Sequence, residues 1–173
     1  MRQWCWLARN SPHETSRSSG GDRPRSPWSA SLGCLRSTSS GPTGPPGRAL
    51  VDHLHDLGHQ RILYLDGGSA PGWRRGYLSA MGRRGLGIAS LAGGLTEESG
   101  SSAAEQIIAR VAERRPTAVA AFSDRCAVGL MHTLIRRGLR VPEEMSIAGF
   151  DDIAAGYAHV ALTTVRQDAD PLG

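Results

Sequence analysis

Three short polar clusters could do chemistry in this chain: Asp66-Gly67-Gly68-Ser69, Ser123-Asp124 and Asp151-Asp152. Each closes or follows an apolar run: RILYLD, TAVAAF and MSIAGF. In an open α/β sheet, residues at strand C-termini line the crevice where ligands bind. A carboxylate there accepts two hydroxyl hydrogen bonds at once, which suits a polyol such as a sugar. The competing use of Ser123 and Asp124 is to cap a helix, and that of Asp152 is to start a turn.

Other residue types offer less. His53 and His55 are two apart and point to different sides of a helix, and His59 falls beyond Gly58, so no zinc set forms. The loop Gly67–Gly72 joins a strand to a helix but lacks both the GxGxxG and the Gly-Lys-Ser/Thr pattern of nucleotide sites. Cys126 falls just inside a helix, where packing is its expected use. His132 and His159 have no nucleophile tied to them. No cofactor, metal site or catalytic residue is expected.

The clusters need rigid elements to position them, and these are legible from Ala49 onward. Leu50, Leu54 and Leu57 share one helical face, closed by Gly58. Arg61–Asp66 is a continuous apolar run, as in a strand buried on both faces. Trp73–Arg84 reads as a helix capped by Gly85, and Leu86–Leu91 as a weaker strand. Thr96 followed by Glu97 and Glu98 starts a helix with a hydroxyl cap and acids at the positive end of its dipole. Ala103, Ala104, Ile107, Ile108 and Val111 form its apolar stripe, which ends before Pro116. Thr117–Phe122 is a strand, and Ser123 or Asp124 caps a helix closed by Gly138. Met145–Phe150 and Leu162–Val165 are the last strands. This alternation predicts a doubly wound parallel sheet with helices on both faces. The Arg83-Arg84 and Arg136-Arg137 doublets sit on last helical turns, where cations oppose the dipole.

Composition divides the chain. Residues 1–48 hold ten Ser, six Pro, six Gly and seven Arg against two acids, with no Val, Ile, Phe or Tyr. The rest carries 13 Arg against 14 acids, so the formal charge of +4 comes from the first segment. Residues 1–47 are therefore expected to be a disordered leader, and residues 48–173 the folded unit. Because all lysines are absent and Arg, Gly, Ala and Pro abound, a GC-rich gene read out of frame would also give such a leader; a natural tail is the alternative. The arginines there are scattered among Pro, Gly and Ser, with no helical face to present them to nucleic acid. Cysteines at 5, 34 and 126 form no pair motif, which fits a reducing cytoplasm. No signal peptide or membrane span is visible.

Residues 48–167 resemble the effector-binding region of LacI/GalR-type transcriptional regulators. The likeness rests on ALVDHLHDLGHQRILYLDG, GLTEESG, RPTAVAAFSDRCAVGLMHTLIRRGLRVPEEMSIAGFDD and LTTVRQ, in that order. It implies one lobe, the second, of a two-lobed periplasmic-binding-protein-like sensor, truncated at its C-terminus. It matches Asp151 to the acid that binds effector hydroxyls, and Ser123 to a position where the family often has Asn. The family's effector-binding Arg corresponds to Trp73; Arg74 and Arg75 adjoin it, and Trp73 would stack on a sugar face instead. Asp151, Ser123, Trp73, Arg74 and Ser69 are thus the expected effector-binding residues.

The resemblance further implies a regulator rather than an enzyme. Its partners would be a sugar-like effector, a second copy in intact relatives, and DNA through an N-terminal helix-turn-helix that residues 1–48 lack. A sugar-binding receptor of the same fold, or a small α/β sugar-processing enzyme, is the competing reading.

Overall fold

A computed structural model describes residues 34–37, 46–68, 71–110, 114–153 and 162–167. Six strands form one parallel sheet: β1 (Cys34–Ser37), β2 (Ile62–Asp66), β3 (Ala89–Ala92), β4 (Ala118–Ala121), β5 (Ser146–Phe150) and β6 (Thr163–Gln167). Four helices alternate with them: α1 (Pro46–Asp56), α2 (Pro71–Arg83), α3 (Glu97–Ile108) and α4 (Asp124–Arg136). The strand order is β1-β6-β5-β4-β2-β3.

This order dictates the layers. The chain moves one way across the sheet from β1 to β3 and then returns through β4, β5 and β6. Right-handed crossovers put helices of opposite travel on opposite faces. Accordingly α1 and α2 cover one face, with Leu50, Leu54, Tyr77 and Met81 packed on Ile62, Tyr64, Ala120 and Ala148. Helices α3 and α4 cover the other, with Ala104, Ile107, Leu130 and Leu134 packed on Leu63, Leu65, Val119 and Ile147. Alternate residues of β2, β4 and β5 thus serve alternate cores, which is why these strands read as unbroken apolar runs.

Local chemistry sets the element ends. Thr96 accepts from Ser99 N, and the Ser99 hydroxyl accepts from Thr96 N, a reciprocal box that closes the start of α3. Gly58, Gly85 and Gly138 follow α1, α2 and α4 with φ of 95°, 65° and 87°, values that favour glycine at a helix end. Helix α3 stops at Ile108, earlier than the Pro116 limit, and β3 begins at Ala89 rather than Leu86. As an edge strand paired only with β2, β3 alternates between half-buried and exposed residues.

The segment read as a disordered leader differs from that reading in two places. Its residues 34–37 form β1, paired in parallel with β6 at Cys34↔Thr164 through Ser37↔Gln167. Helix α1 also begins inside it, at Pro46, where a missing N–H and a fixed φ suit the first turn. The sequence held no strand signal here, because Cys-Leu-Arg-Ser is neither apolar nor alternating.

Helices α3 and α4 approach each other backbone to backbone. A Cβ on Gly129 would lie 1.9 Å from Glu97 O, and one on Gly100 would lie 2.0 Å from Cys126 O. Both obstacles are main chain and cannot rotate away. Gly129→Ala is expected to destabilise the fold by about 1–3 kcal/mol through overpacking. The check is urea unfolding, with Gly82→Ala, whose Cβ meets nothing within 4 Å, as the tolerated control.

Candidate functional site

The winding reverses between β2 and β4. These neighbours send their chains to opposite faces, β2 into α2 and β4 into α4, so a crevice opens beyond their C-terminal ends. Asp66 ends β2, Ser123 follows β4, and Asp151 follows β5, the next strand along. The register pairs Ala120 with Ala148, and three residues further it sets Ser123 level with Asp151. The two lie on adjacent strands at the same end, as the sequence required.

Asp151 is the projecting group. It is exposed, and its φ of 99° lies where L-residues are rarely found. Its N–H donates to Val165 O at 3.0 Å, which continues the β5–β6 ladder one residue past the strand. Its carboxyl is held above the usual carboxylate range, first by desolvation and then by the nearby Asp124 carboxylate. Asp152, also left-handed with φ of 55°, pairs with the Arg166 guanidinium. Strain and a perturbed carboxyl at a strand end make Asp151 a candidate binding position.

Asp124 builds the turn that presents Asp151. Only 1% of Asp124 is exposed. Its Oδ1 accepts from the Thr164 hydroxyl at 2.6 Å, and its Oδ2 accepts from Ile153 N at 2.8 Å. The Thr164 hydroxyl in turn accepts from Asp152 N at 3.2 Å. One carboxylate therefore ties the start of α4 to β6 and to the chain leaving β5. Gly149 admits it, since a Cβ there would lie 2.3 Å from Asp124 Oδ1.

On the far side of the crevice, Asp66 Oδ1 accepts from Gly68 N at 2.9 Å and from the Tyr64 hydroxyl at 3.3 Å. Arg74, more than half exposed, reaches Asp66 Oδ2 at 3.5 Å. The rim thus carries an acid on β5 and an acid–guanidinium pair on β2 and α2.

Two expected binding residues have other roles. Trp73 is 3% exposed and stacks on Tyr64 with centroids 4.8 Å apart, with Phe122 and Phe150 edge-on to it. Its ring is packed in the α1–α2 core and offers no face to a sugar. Ser123, 5% exposed, is the N-cap of α4 and accepts from Cys126 N at 3.2 Å. Arg74 and Asp151 do reach the rim; Ser69 lies outside the described residues. Asp124, Thr164 and Asp66 are the positions that sequence reasoning under-weighted. The LTTVRQ segment carried the signal for Thr164, because a hydroxyl in a central strand needs a partner.

A family model described as a periplasmic binding protein-like domain matches residues 51–173. The chain belongs to that family. Its relatives are regulators of the LacI type. The HTH-type transcriptional repressor PurR of Vibrio cholerae is 36% identical over 135 residues, 73% of this chain and 40% of that repressor. A LacI transcriptional regulator from a Rhodococcus species superposes with a TM-score of 0.66 at 38% identity, covering 78% of this chain and 56% of the other. A LacI family regulator from Lactobacillus casei, solved with bound glucose, gives 0.64 at 29% identity, covering 68% and 47%. The chain spans about two fifths of the length of the curated repressor it matches. Sequence and fold are those of a LacI-family effector-binding domain.

Removing the anchor should cost stability and geometry together. Asp124→Ala strands the Thr164 hydroxyl and the Ile153 N–H, each of which loses a hydrogen bond to a charged acceptor. A loss of about 3 kcal/mol in urea unfolding is expected, with Asp124→Asn intermediate.

Proposed function

We propose that this chain is the effector-sensing part of a LacI-type transcriptional regulator and that its effector is a sugar or related polyol. The Asp151 carboxylate carries the reading: it is exposed at the reversal crevice, held in a strained turn, and anchored from below by Asp124. Arg74 and Asp66 supply a donor and an acceptor across the crevice, so hydroxyls on one ring can be engaged from both sides. The glucose-bound regulator from Lactobacillus casei, with the same fold, supports a sugar-sized ligand.

In the intact regulator, effector binding favours one arrangement of two lobes and so changes the affinity of a dimer for its operator. In such a regulator DNA is contacted through an N-terminal helix-turn-helix; among the described residues of this chain every helix follows one parallel strand and leads to the next. Sensing of this kind makes and breaks no bond, and it takes place in the cytoplasm beside the DNA. Among the described residues no helix is long and apolar enough to cross a membrane.

Asp151→Asn separates binding from folding. A carboxylate accepting two hydroxyls contributes charge-assisted bonds of about 1.5–3 kcal/mol each, so the variant should lose at least about tenfold in affinity. Stability should move the other way. Because the folded carboxyl sits above its unfolded value, the fold favours the protonated form; that contribution is present at low pH and lost as pH rises through the folded value. At neutral pH the ionised group opposes folding, and Asp151→Asn should melt no lower than the parent chain. Calorimetry against a panel of sugars and polyols, with melting curves beside it, reads both. If no polyol binds, or the variant binds as tightly as the parent, the proposal fails.

A further inference from the structure

The chain leaving β5 is tied to three consecutive residues of β6. Asp152 N donates to the Thr164 hydroxyl at 3.2 Å, Asp151 N donates to Val165 O at 3.0 Å, and the Arg166 guanidinium pairs with the Asp152 carboxylate. Thr164 is fully buried, and Val165 belongs to the α1–α2 core. Side chains two apart on a strand share a face, so Arg166 projects to the same side as Thr164, the side on which Asp124 lies.

The ion pair matters to Asp151 more than to the fold. The Arg166 side chain is 49% exposed, and a pair so open to solvent contributes little to stability. Its carboxylate, however, belongs to the residue next to the one that faces a ligand. Among the described residues the Asp151 carboxyl itself has no hydrogen bond or ion pair.

The charged groups of this turn and its neighbours are Asp152 beside Asp151, Arg166 on β6, and Asp124 at the start of α4, followed by the exposed Arg125. Asp66 and Arg74 stand across the crevice and hold each other at 3.5 Å. Desolvation and Asp124 already keep the Asp151 carboxyl above its usual range. A second bare carboxylate beside it would push it further, because like charges disfavour ionisation. A bare guanidinium would do the opposite, and would compete with a ligand for the same oxygens. Bound to each other, Asp152 and Arg166 do neither.

We propose that Asp152 and Arg166 form a charge-compensating pair that leaves the Asp151 carboxylate unpaired for a ligand, with Arg166 a positioning residue that acts through Asp152. That a ligand uses Asp151 rests on the effector reading; the compensation rests on the turn and β6 alone. A merely structural clasp would behave differently, since loss of either partner would then disturb Asp151 in the same way.

The test follows the Asp151 side-chain carboxyl of the full chain by carbon-13 NMR through a pH titration, its resonance assigned by its loss in Asp151→Asn. In R166M the midpoint should rise by about half a pH unit or more, the effect of one extra carboxylate beside a part-exposed group. In D152N it should fall, and in R166K and D152N/R166M it should return close to the parent value. Asparagine tolerates left-handed backbone, so D152N changes charge without straining the turn. Melting curves confirm that the variants are folded. Calorimetry with glucose at the parent midpoint should show affinity at least about twofold weaker in R166M and unchanged in D152N/R166M. A parent chain that binds no glucose counts against the sugar reading, and the carboxyl titrations still decide the compensation. Midpoints that stay fixed in R166M and D152N, or that move the same way in both, overturn the inference, as does glucose binding that R166M leaves unchanged.

Discussion

The site depends on one buried carboxylate. Asp124 sits at the first turn of α4, almost wholly out of solvent, and both of its oxygens are used. A charge so placed is stable only with hydrogen bonds, and these bonds are the ones that shape the turn after β5. Thr164 joins the arrangement by accepting from Asp152 N while donating to Asp124. The left-handed backbone of Asp151 and Asp152 is therefore held from two sides, by α4 and by β6, the latter through both Thr164 and the ladder bond to Val165. The same proximity of two carboxylates that helps raise Asp151 toward its neutral form makes its ionised form a stronger acceptor when a hydroxyl arrives.

Architecture explains why these groups meet. The chain reverses its travel across the sheet at β3, and the reversal separates α2 from α4 above β2 and β4. Small residues finish the job. Gly67 lies against the Phe122 ring, with a Cβ there only 1.9 Å from Phe122 Cδ1, so the floor of the crevice can close beneath the polar rim. At the other end of the same strands, His59 lies fully buried between the Thr117 and Ser146 hydroxyls, at 3.0 Å from each. Burial pulls its imidazole down to about 4, with His53 adding to the effect, so it is neutral at physiological pH and serves as a polar pin between the starts of β4 and β5. The two rims of the sheet are therefore different in kind, acidic and strained at one end, pinned and arginine-rich at the other.

Much of this was readable from residue order. Buried strands announce themselves as apolar runs, and the glycine and hydroxyl caps marked where α1, α2, α3 and α4 start or stop. The clustering of Asp66, Ser123 and Asp151 on one rim followed from parallel strands alone. What residue order did not reveal was which side chain does what there. Ser123 and Asp124 are adjacent and chemically similar, yet one is a cap and the other an anchor; the difference lies in Thr164, forty residues away. Trp73, which the resemblance offered as a stacking face for a sugar, lies in the core against Tyr64. Strand β1 was invisible because it is held by backbone pairing to β6 rather than by any pattern of its own.

Amide shift mapping tests the central claim most directly. Titrating the chain with a bound sugar should move the resonances of Gly68, Asp151, Asp152 and Ile153, with Thr164 following through its bond to Asp124, and should leave Arg61, Arg110 and Arg114 in place. Shifts confined to the rim where the strands begin, or spread evenly over the surface while Asp151 stays still, would contradict the account.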